Sequence, residues 1–247
     1  MNTRAVTTAL ALAAILIGCG GKDAKDKTAP LAAAPDTSAV APALDTSAVF
    51  TDSRDGKVYR KVRIDRQLWM AENLNYEAEG SICYAEYRRN PSICMISRGG
   101  DTLYDGDRLF DAKIRANCAK YGRLYYWGMA KEACPAGWHL PTVEEWRTLI
   151  EYAGGWSKAG GKLKSASGWY NYGGGTDDYG FAALPGGSAS FLVAGAMGYW
   201  WSATKWTNDM KGPPPGPVYL SIAYEDDDVD LSSTDSFEMV SVRCVAD

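Results

Sequence analysis

Cys134-Pro135-Ala136-Gly137-Trp138-His139-Leu140-Pro141-Thr142-Val143-Glu144-Glu145-Trp146 leads into a stretch whose local chemistry defines a helix at both ends. Thr142 has the hydroxyl of an N-cap, and Glu145 three positions later completes a capping box, so two end amides gain partners. Trp146, Leu149, Ile150 and Ala153 recur at helical spacing and form one apolar stripe. Gly154-Gly155 then ends the run with residues that accept a left-handed backbone. Upstream, Leu124 to Ala133 is apolar on one side and stops at Cys134-Pro135, which predicts a second helix. Ser81 to Cys118 is long, polar and without clear period, and reads as an inserted surface loop. Further back, Phe50-Thr51-Asp52 and Lys57-Val58-Tyr59 flank Asp55-Gly56, a hairpin signal. Val58, Val62, Ile64 and Leu68 share one parity and would face one way, with Asp65-Arg66 as the turn. Downstream of the capped helix lie short apolar runs and glycine-rich loops, ending in Ser241-Val242-Arg243-Cys244-Val245. The expected class is α+β: two main helices, short antiparallel strands and long loops.

The start of the chain has a different character. Met1-Asn2-Thr3-Arg4 is a short basic segment, and the about thirteen residues from Ala5 to Ile17 carry no charge. A helix crossing a bilayer needs roughly 20 apolar residues, so the pattern fits a secretory signal. Leu16-Ile17-Gly18-Cys19 resembles the lipobox of bacterial lipoproteins, which implies cleavage before Cys19 and acylation of its sulfur. More than one acyl chain is needed for durable attachment, since a lone chain binds membranes marginally. Residues 1–18 are thus read as a lipoprotein signal peptide and 19–48 as a lipidated tether. The tether alternates Lys and Asp, then turns to Ala, Pro, Ser and Thr, with Asp36-Thr37-Ser38-Ala39-Val40 echoed at Asp45 to Val49. Such a composition buries too little apolar surface to offset the entropy of ordering. Residues 49–247 form the folded domain. The expected place is the cell envelope; Gly20, where inner-membrane lipoproteins of some bacteria carry Asp, favours the outer membrane.

Removing residues 1–18 takes away one Arg and no acid, moving the formal charge from −4 to −5. No basic patch interleaves with aromatic residues, so a nucleic-acid partner is not expected. Besides Cys19 there are Cys83, Cys94, Cys118, Cys134 and Cys244, in no zinc spacing and with a single histidine, His139. In an exported chain these read as disulfide cysteines with one left over, and spacing leaves the pairing open.

Several stretches together resemble a known family. Trp69-Met70-Ala71-Glu72-Asn73-Leu74-Asn75-Tyr76, Tyr121-Gly122-Arg123-Leu124-Tyr125, the stretch Cys134 to Thr142 and Gly161-Lys162-Leu163-Lys164-Ser165 resemble, in order, motifs of the Fibrobacter succinogenes major paralogous domain. Gly175 to Gly187, Tyr199-Trp200-Trp201-Ser202-Ala203-Thr204 and Ser241 to Val245 continue the series. That family is similar to C-type lectin-like domains and to the formylglycine-generating sulfatase-modifying fold, so the resemblance implies a C-type lectin-like, loop-rich domain whose two ends lie close together. It also implies a Cys134–Cys244 bridge and a Cys83–Cys118 bridge. Because the Arg88–Arg115 region is longer than the family's usual spacing, Cys83–Cys94 stays open as an alternative.

No catalytic constellation emerges. A formylglycine-generating enzyme needs reactive cysteines in its C-terminal part, where only Cys244 lies. His139 precedes a helix and is expected to make structural hydrogen bonds, and no nucleophile-elbow sequence accompanies it. Gly173-Gly174-Gly175 lacks the lysine of a phosphate loop. Binding is the better expectation. Asp177, Asp178, Asn208 and Asp209 are candidate ligands for Ca2+; Trp206-Thr207-Asn208-Asp209 is similar to the Trp-Asn-Asp element of lectins with a Thr inserted. The acidic run Glu225 to Asp228, followed by Asp230, also offers oxygen ligands for Ca2+, with a solvated loop as the alternative reading. Trp156, Trp169, Trp201 and Trp206 are candidate sugar contacts. The leading expectation is a non-catalytic, lipid-anchored envelope protein that binds a polysaccharide or an envelope protein. An enzyme acting on surface or plant-wall polysaccharide and a structural envelope lipoprotein are the rivals.

Overall fold

Strands β1 (Val49–Thr51) and β2 (Val58–Ile64) form the hairpin expected at Asp55-Gly56, pairing Phe50 with Tyr59. Gly56 takes φ +74° in the turn, and the Asp52 amide donates to the Lys57 carbonyl at 2.8 Å. The chain turns at Asp65, with φ 52°, into β3 (Gln67–Met70), which pairs Trp69 with Val62. The expected parity holds only in part. Val62 and Ile64 are buried, but Val58 is exposed and its neighbour Tyr59 points inward.

This computed structural model describes residues 48–86, 108–190, 193–207 and 214–247; the signal, Cys19 and most of the tether lie outside them. Among the described residues eleven strands form two sheets. The first has the order β1-β2-β3-β11-β6, with β6 at Trp138–His139 and β11 at Val245–Ala246. The last strand therefore sits beside β3, pairing Val245 with Trp69, and the beginning and end of the fold share one sheet. The second sheet has the order β4-β5-β10-β7-β8-β9. Its members are β4 (Ile82–Cys83), β5 (Arg123–Tyr126), β7 (Met197–Trp206), β8 (Gly216–Ala223), β9 (Val229–Ser233) and β10 (Met239–Ser241). All its pairings are antiparallel except β10 with β7, which meet in parallel at Ser241 and Trp200.

The helices are α1 (Arg108–Tyr121), α2 (Trp127–Ala133), α3 (Val143–Tyr152) and α4 (Ala159–Leu163). This overturns the expected α+β, C-type lectin-like arrangement with two main helices. Among the described residues the fold is mostly β, with two sheets and four small helices. Two local errors explain the difference. Leu124 to Ala133 splits into a strand and a short helix, because Leu124 and Tyr126 find partners in Ser241 and Met239, more than a hundred positions away. The region expected to be an inserted loop holds β4 and the fourteen-residue α1; residues 87–107 within it lie outside the described part.

α3 forms as its sequence dictates. The Thr142 hydroxyl accepts from the Glu145 amide while the Glu145 carboxylate accepts from the Thr142 amide. Trp146, Leu149, Ile150 and Ala153 are all buried, and Gly154 and Gly155 follow at positive φ. The stripe packs into a core cluster with Trp69, Phe181, Trp200 and Leu220. A second cluster on the other side of β7 gathers Met70, Tyr125, Trp201, Val240 and Val242. Trp200 and Trp201 alternate between the two because successive side chains leave opposite faces of a strand. Cys134–Cys244 and Cys83–Cys118 are bridged, with Cα atoms 6.0 and 4.9 Å apart. Cys83 is thereby joined to Cys118 and not to Cys94, which lies outside the described residues.

Candidate functional site

The signature residues converge first on a buried centre. Arg243 is fully buried. Its Nε and Nη2 donate to Asn73 Oδ1 at 3.0 and 2.7 Å, and its Nη1 donates to the carbonyls of Met70 and Phe181. The guanidinium carbon also lies 4.5 Å from the Phe181 ring centroid. Trp200 Nε1 donates to the same Asn73 oxygen at 2.7 Å, and Asn73 Nδ2 donates to the Tyr121 carbonyl at 2.8 Å. Burial pulls the Arg243 pKa down to about 9, against the attraction of Glu72 and Asp177, so the group stays charged at neutral pH. The rest of the first motif is equally committed. Glu72 accepts from the Arg60 amide, the Asn75 amide donates to the Tyr59 hydroxyl, and the Tyr76 carbonyl accepts from the Tyr125 hydroxyl at 2.6 Å. These polar groups hold the fold together, as buried ones must when they are paired.

His139 is half-buried and lies between two carboxylates. Its Nε2 is 2.7 Å from Glu145 Oε1 and its Nδ1 is 2.7 Å from Asp247 Oδ1. Burial works against the charged ring, but the two hydrogen bonds prevail and raise its pKa. Glu145 is in turn held by the Thr142 amide and hydroxyl. The histidine thus ties β6 to the start of α3, the structural hydrogen-bonding role expected of it.

Exposed chemistry collects elsewhere, on the loop after α4. Tyr170 is 55% exposed and Tyr172 fully exposed. Asn171 and Tyr172 both sit at positive φ, 50° and 60°. A left-handed backbone costs a residue with a Cβ roughly 1 kcal/mol or more, and asparagine bears it better than tyrosine. Two in succession are strain that the surroundings must hold in place. The surroundings do so through glycine. A Cβ on Gly173 would collide with the Tyr224 carbonyl, one on Gly175 with the Gly161 carbonyl, and one on Gly195 with the Tyr170 ring. The Tyr170 amide donates to the Gly195 carbonyl at 2.8 Å. Tyr224, half-exposed at the end of β8, meets the Tyr170 ring edge-on with centroids 6.2 Å apart. Its hydroxyl is bonded to the Glu225 carboxylate, which raises the phenol pKa, while Asn171 pulls the other way. Behind this surface the buried Lys164 ammonium donates to the Asp226 carbonyl at 2.7 Å and lies 3.5 Å from Asp227 Oδ1. The acidic turn Glu225 to Asp228 is thereby pinned from below while its carboxylates face water.

The tryptophans expected to meet sugar fare differently from one another. Trp169, Trp201 and Trp206 are buried, at 7%, 0% and 8% exposure. Trp201 Nε1 donates to the Tyr125 carbonyl, and Trp169 Nε1 donates to that of Ala183. Their rings serve the core, which corrects the expectation for those three. Trp156 alone of the four is exposed. Asp177 sits at φ 50° and its Oδ1 accepts from the Ala182 amide at 2.7 Å; burial raises its pKa. That is a turn closed on itself. Asp178 beside it is exposed, and Asn208 and Asp209 lie outside the described residues. Among the described residues no group of three or more His, Cys, Asp or Glu side chains is placed to hold a metal ion. Sequence reading passed over Tyr170, Tyr172 and Tyr224. The available signal was the density of Tyr, Asn and Gly in Trp169-Tyr170-Asn171-Tyr172-Gly173-Gly174-Gly175, a composition common in binding loops.

Taken together, these features define a β-rich, disulfide-bridged domain whose signature residues are absorbed in folding. Its exposed chemistry is a ledge of tyrosines beside an acidic turn. The chain belongs to the Fibrobacter succinogenes major domain family, whose model matches residues 62–246. Comparison with curated proteins and with solved structures gave no match.

Proposed function

We propose that this chain is a non-catalytic, lipid-anchored protein of the cell envelope, in the outer membrane, that presents its β-rich domain to a glycan or protein ligand. The anchor half of the reading rests on the uncharged run Ala5 to Ile17, the lipobox at Leu16 to Cys19 and the tether that follows. The binding half rests on one observation: tyrosine rings stand in water on a strained loop, braced by glycine contacts. Water-exposed aromatic rings with hydroxyl handles favour contact with ligands that are apolar on one face and polar at the rim. The commitment of Asn73, Arg243 and Lys164 to internal hydrogen bonds supports reading the family signature as architecture rather than chemistry.

Two measurements test this. Mass spectrometry of the cell-made protein should find the N-terminus at an acylated Cys19; an unmodified start elsewhere removes the anchor. The detergent-solubilised protein, applied to arrays of defined glycans and purified envelope proteins, should be retained by at least one of them. Release of reducing sugar that vanished on substitution of a single carboxylate would replace binding with catalysis.

A further inference from the structure

We infer that the surface made by the touching rings of Tyr170 and Tyr224, with Tyr172 standing free on the same loop, takes a neutral pyranose chain and discriminates against acidic ones; this rests on the glycan arm of the function proposed above. Three observations carry it.

The first is shape. The apolar area here is confined to ring faces and edges, with Asn171 and Glu225 set between and beside them. A pyranose offers the complement, axial C–H groups on its faces and hydroxyls around its equator. A protein hot spot instead fills a desolvated pocket with a buried anchor, and the ledge stands open.

The second is preorganisation. Tyr170 lies against Gly195 and edge-on to Tyr224, and the backbone that presents Tyr172 is held left-handed by the packing of Gly173 and Gly175. The entropy of ordering the Tyr170 and Tyr224 rings is therefore largely lost on folding and not again on binding, while for Tyr172 the backbone alone is preset.

The third is charge. Glu225, Asp226, Asp227 and Asp228 follow Tyr224 directly and are all exposed. The buried cation beneath them, Lys164, donates to the Asp226 and Ala223 carbonyls and lies 3.5 Å from Asp227 Oδ1, so it offsets one of the four charges and leaves the turn net negative. An acidic polymer laid over the rings would bring like charges close to these carboxylates, a penalty that grows as salt falls.

Titration calorimetry on the full-length protein in detergent can use gluco-, manno-, galacto- and xylo-oligosaccharides as neutral probes and oligogalacturonate as the acidic one. At least one neutral series should bind, and oligogalacturonate should bind more weakly than it in low salt. Tyr172→Ala should weaken the neutral ligand about tenfold, as expected for the loss of one stacked ring. It should leave the thermal midpoint unchanged, because that ring touches water on all sides. Val58→Ala, which alters an exposed side chain on β2 in the other sheet, should leave affinity unchanged. If a neutral chain binds equally well to Tyr172→Ala, the ledge is the wrong place while glycan binding stands. If oligogalacturonate binds as tightly as the neutral chains, the charge argument is overturned. If no oligosaccharide binds but an envelope protein does, this inference fails and only the protein arm of the proposed function remains.

Discussion

At the scale of single residues, Arg243 shows how a charge is kept inside a protein by neutral oxygens. One amide oxygen, Asn73 Oδ1, receives hydrogen bonds from Arg243 Nε, Arg243 Nη2 and Trp200 Nε1. Replacing Asn73 by Ala removes that acceptor and leaves a buried guanidinium short of partners, a change that costs about 3 kcal/mol or more. Urea unfolding of Asn73→Ala should show that loss, and a change within about 0.5 kcal/mol would mean that other groups solvate the charge. His139 makes a smaller, pH-dependent contribution. Burial opposes its charge, but its bonds to Glu145 and Asp247 raise its pKa above the ordinary 6.5. Its stabilisation is complete below 6.5 and fades as pH climbs through the raised folded value. Glu145 is pushed up by burial, yet Thr142 and His139 together bring it below the ordinary 4.5. Its stabilisation is present above 4.5 and fades as pH falls through the lowered value. Both act fully between about 4.5 and 6.5. The side chains are partly in water, so screening keeps the effect below about 1 kcal/mol. The thermal midpoint of the wild type should exceed that of His139→Gln most near pH 5.5, with the gap narrowing by pH 8. A gap independent of pH would show that the ring acts by packing alone.

Elements differ in how openly the sequence announces them. α3 carries its cap, its reciprocal acid, its apolar stripe and its terminating glycines within one short stretch, and it forms as read. Thr142→Ala should cost about 1 kcal/mol, the usual worth of an N-cap hydroxyl, and should weaken the coupling of His139 to Glu145 as well. Equilibrium unfolding with a pH series measures both; an unchanged midpoint would mean the helix is held by Trp146 and its neighbours without the cap. Among the residues of α1 whose burial is described, 112–121, Ile114, Cys118 and Tyr121 are buried. That stripe is too narrow to stand out from the charged residues around it. β5 fails as a strand signal for another reason: Leu124 and Tyr125 are both buried, so the alternation that marks a half-exposed strand is missing. The tyrosine ledge belongs to this scale too. Its rings were visible as letters, but their exposure follows from backbone angles and glycine contacts made with β8 and its following turn.

For the whole molecule, two bridges fix parts of the chain that lie far apart in sequence. Cys134–Cys244 spans 110 positions and Cys83–Cys118 spans 35. In the chain-entropy account a loop of about 100 residues contributes about 4.7 kcal/mol and shorter loops less. The Cys134→Ser/Cys244→Ser pair should therefore lose more stability than Cys83→Ser/Cys118→Ser, by roughly 1 kcal/mol. Guanidinium unfolding of the two double variants measures the difference, and the reverse order would place the stronger constraint at α1. By itself the sequence determined the hairpin at Asp55-Gly56, the capped helix α3, the order of the family motifs and the apolar run ahead of Cys19. Each of these draws its free energy or its chemistry from residues within a few positions of one another. Only the tertiary structure decided that the domain is built on two sheets, that three of the four proposed sugar-binding tryptophans are core, and that Asn73 meets Arg243 across 170 positions. Contacts of that kind gain their energy only once the intervening chain has folded, and no local pattern records where a strand will find its partner.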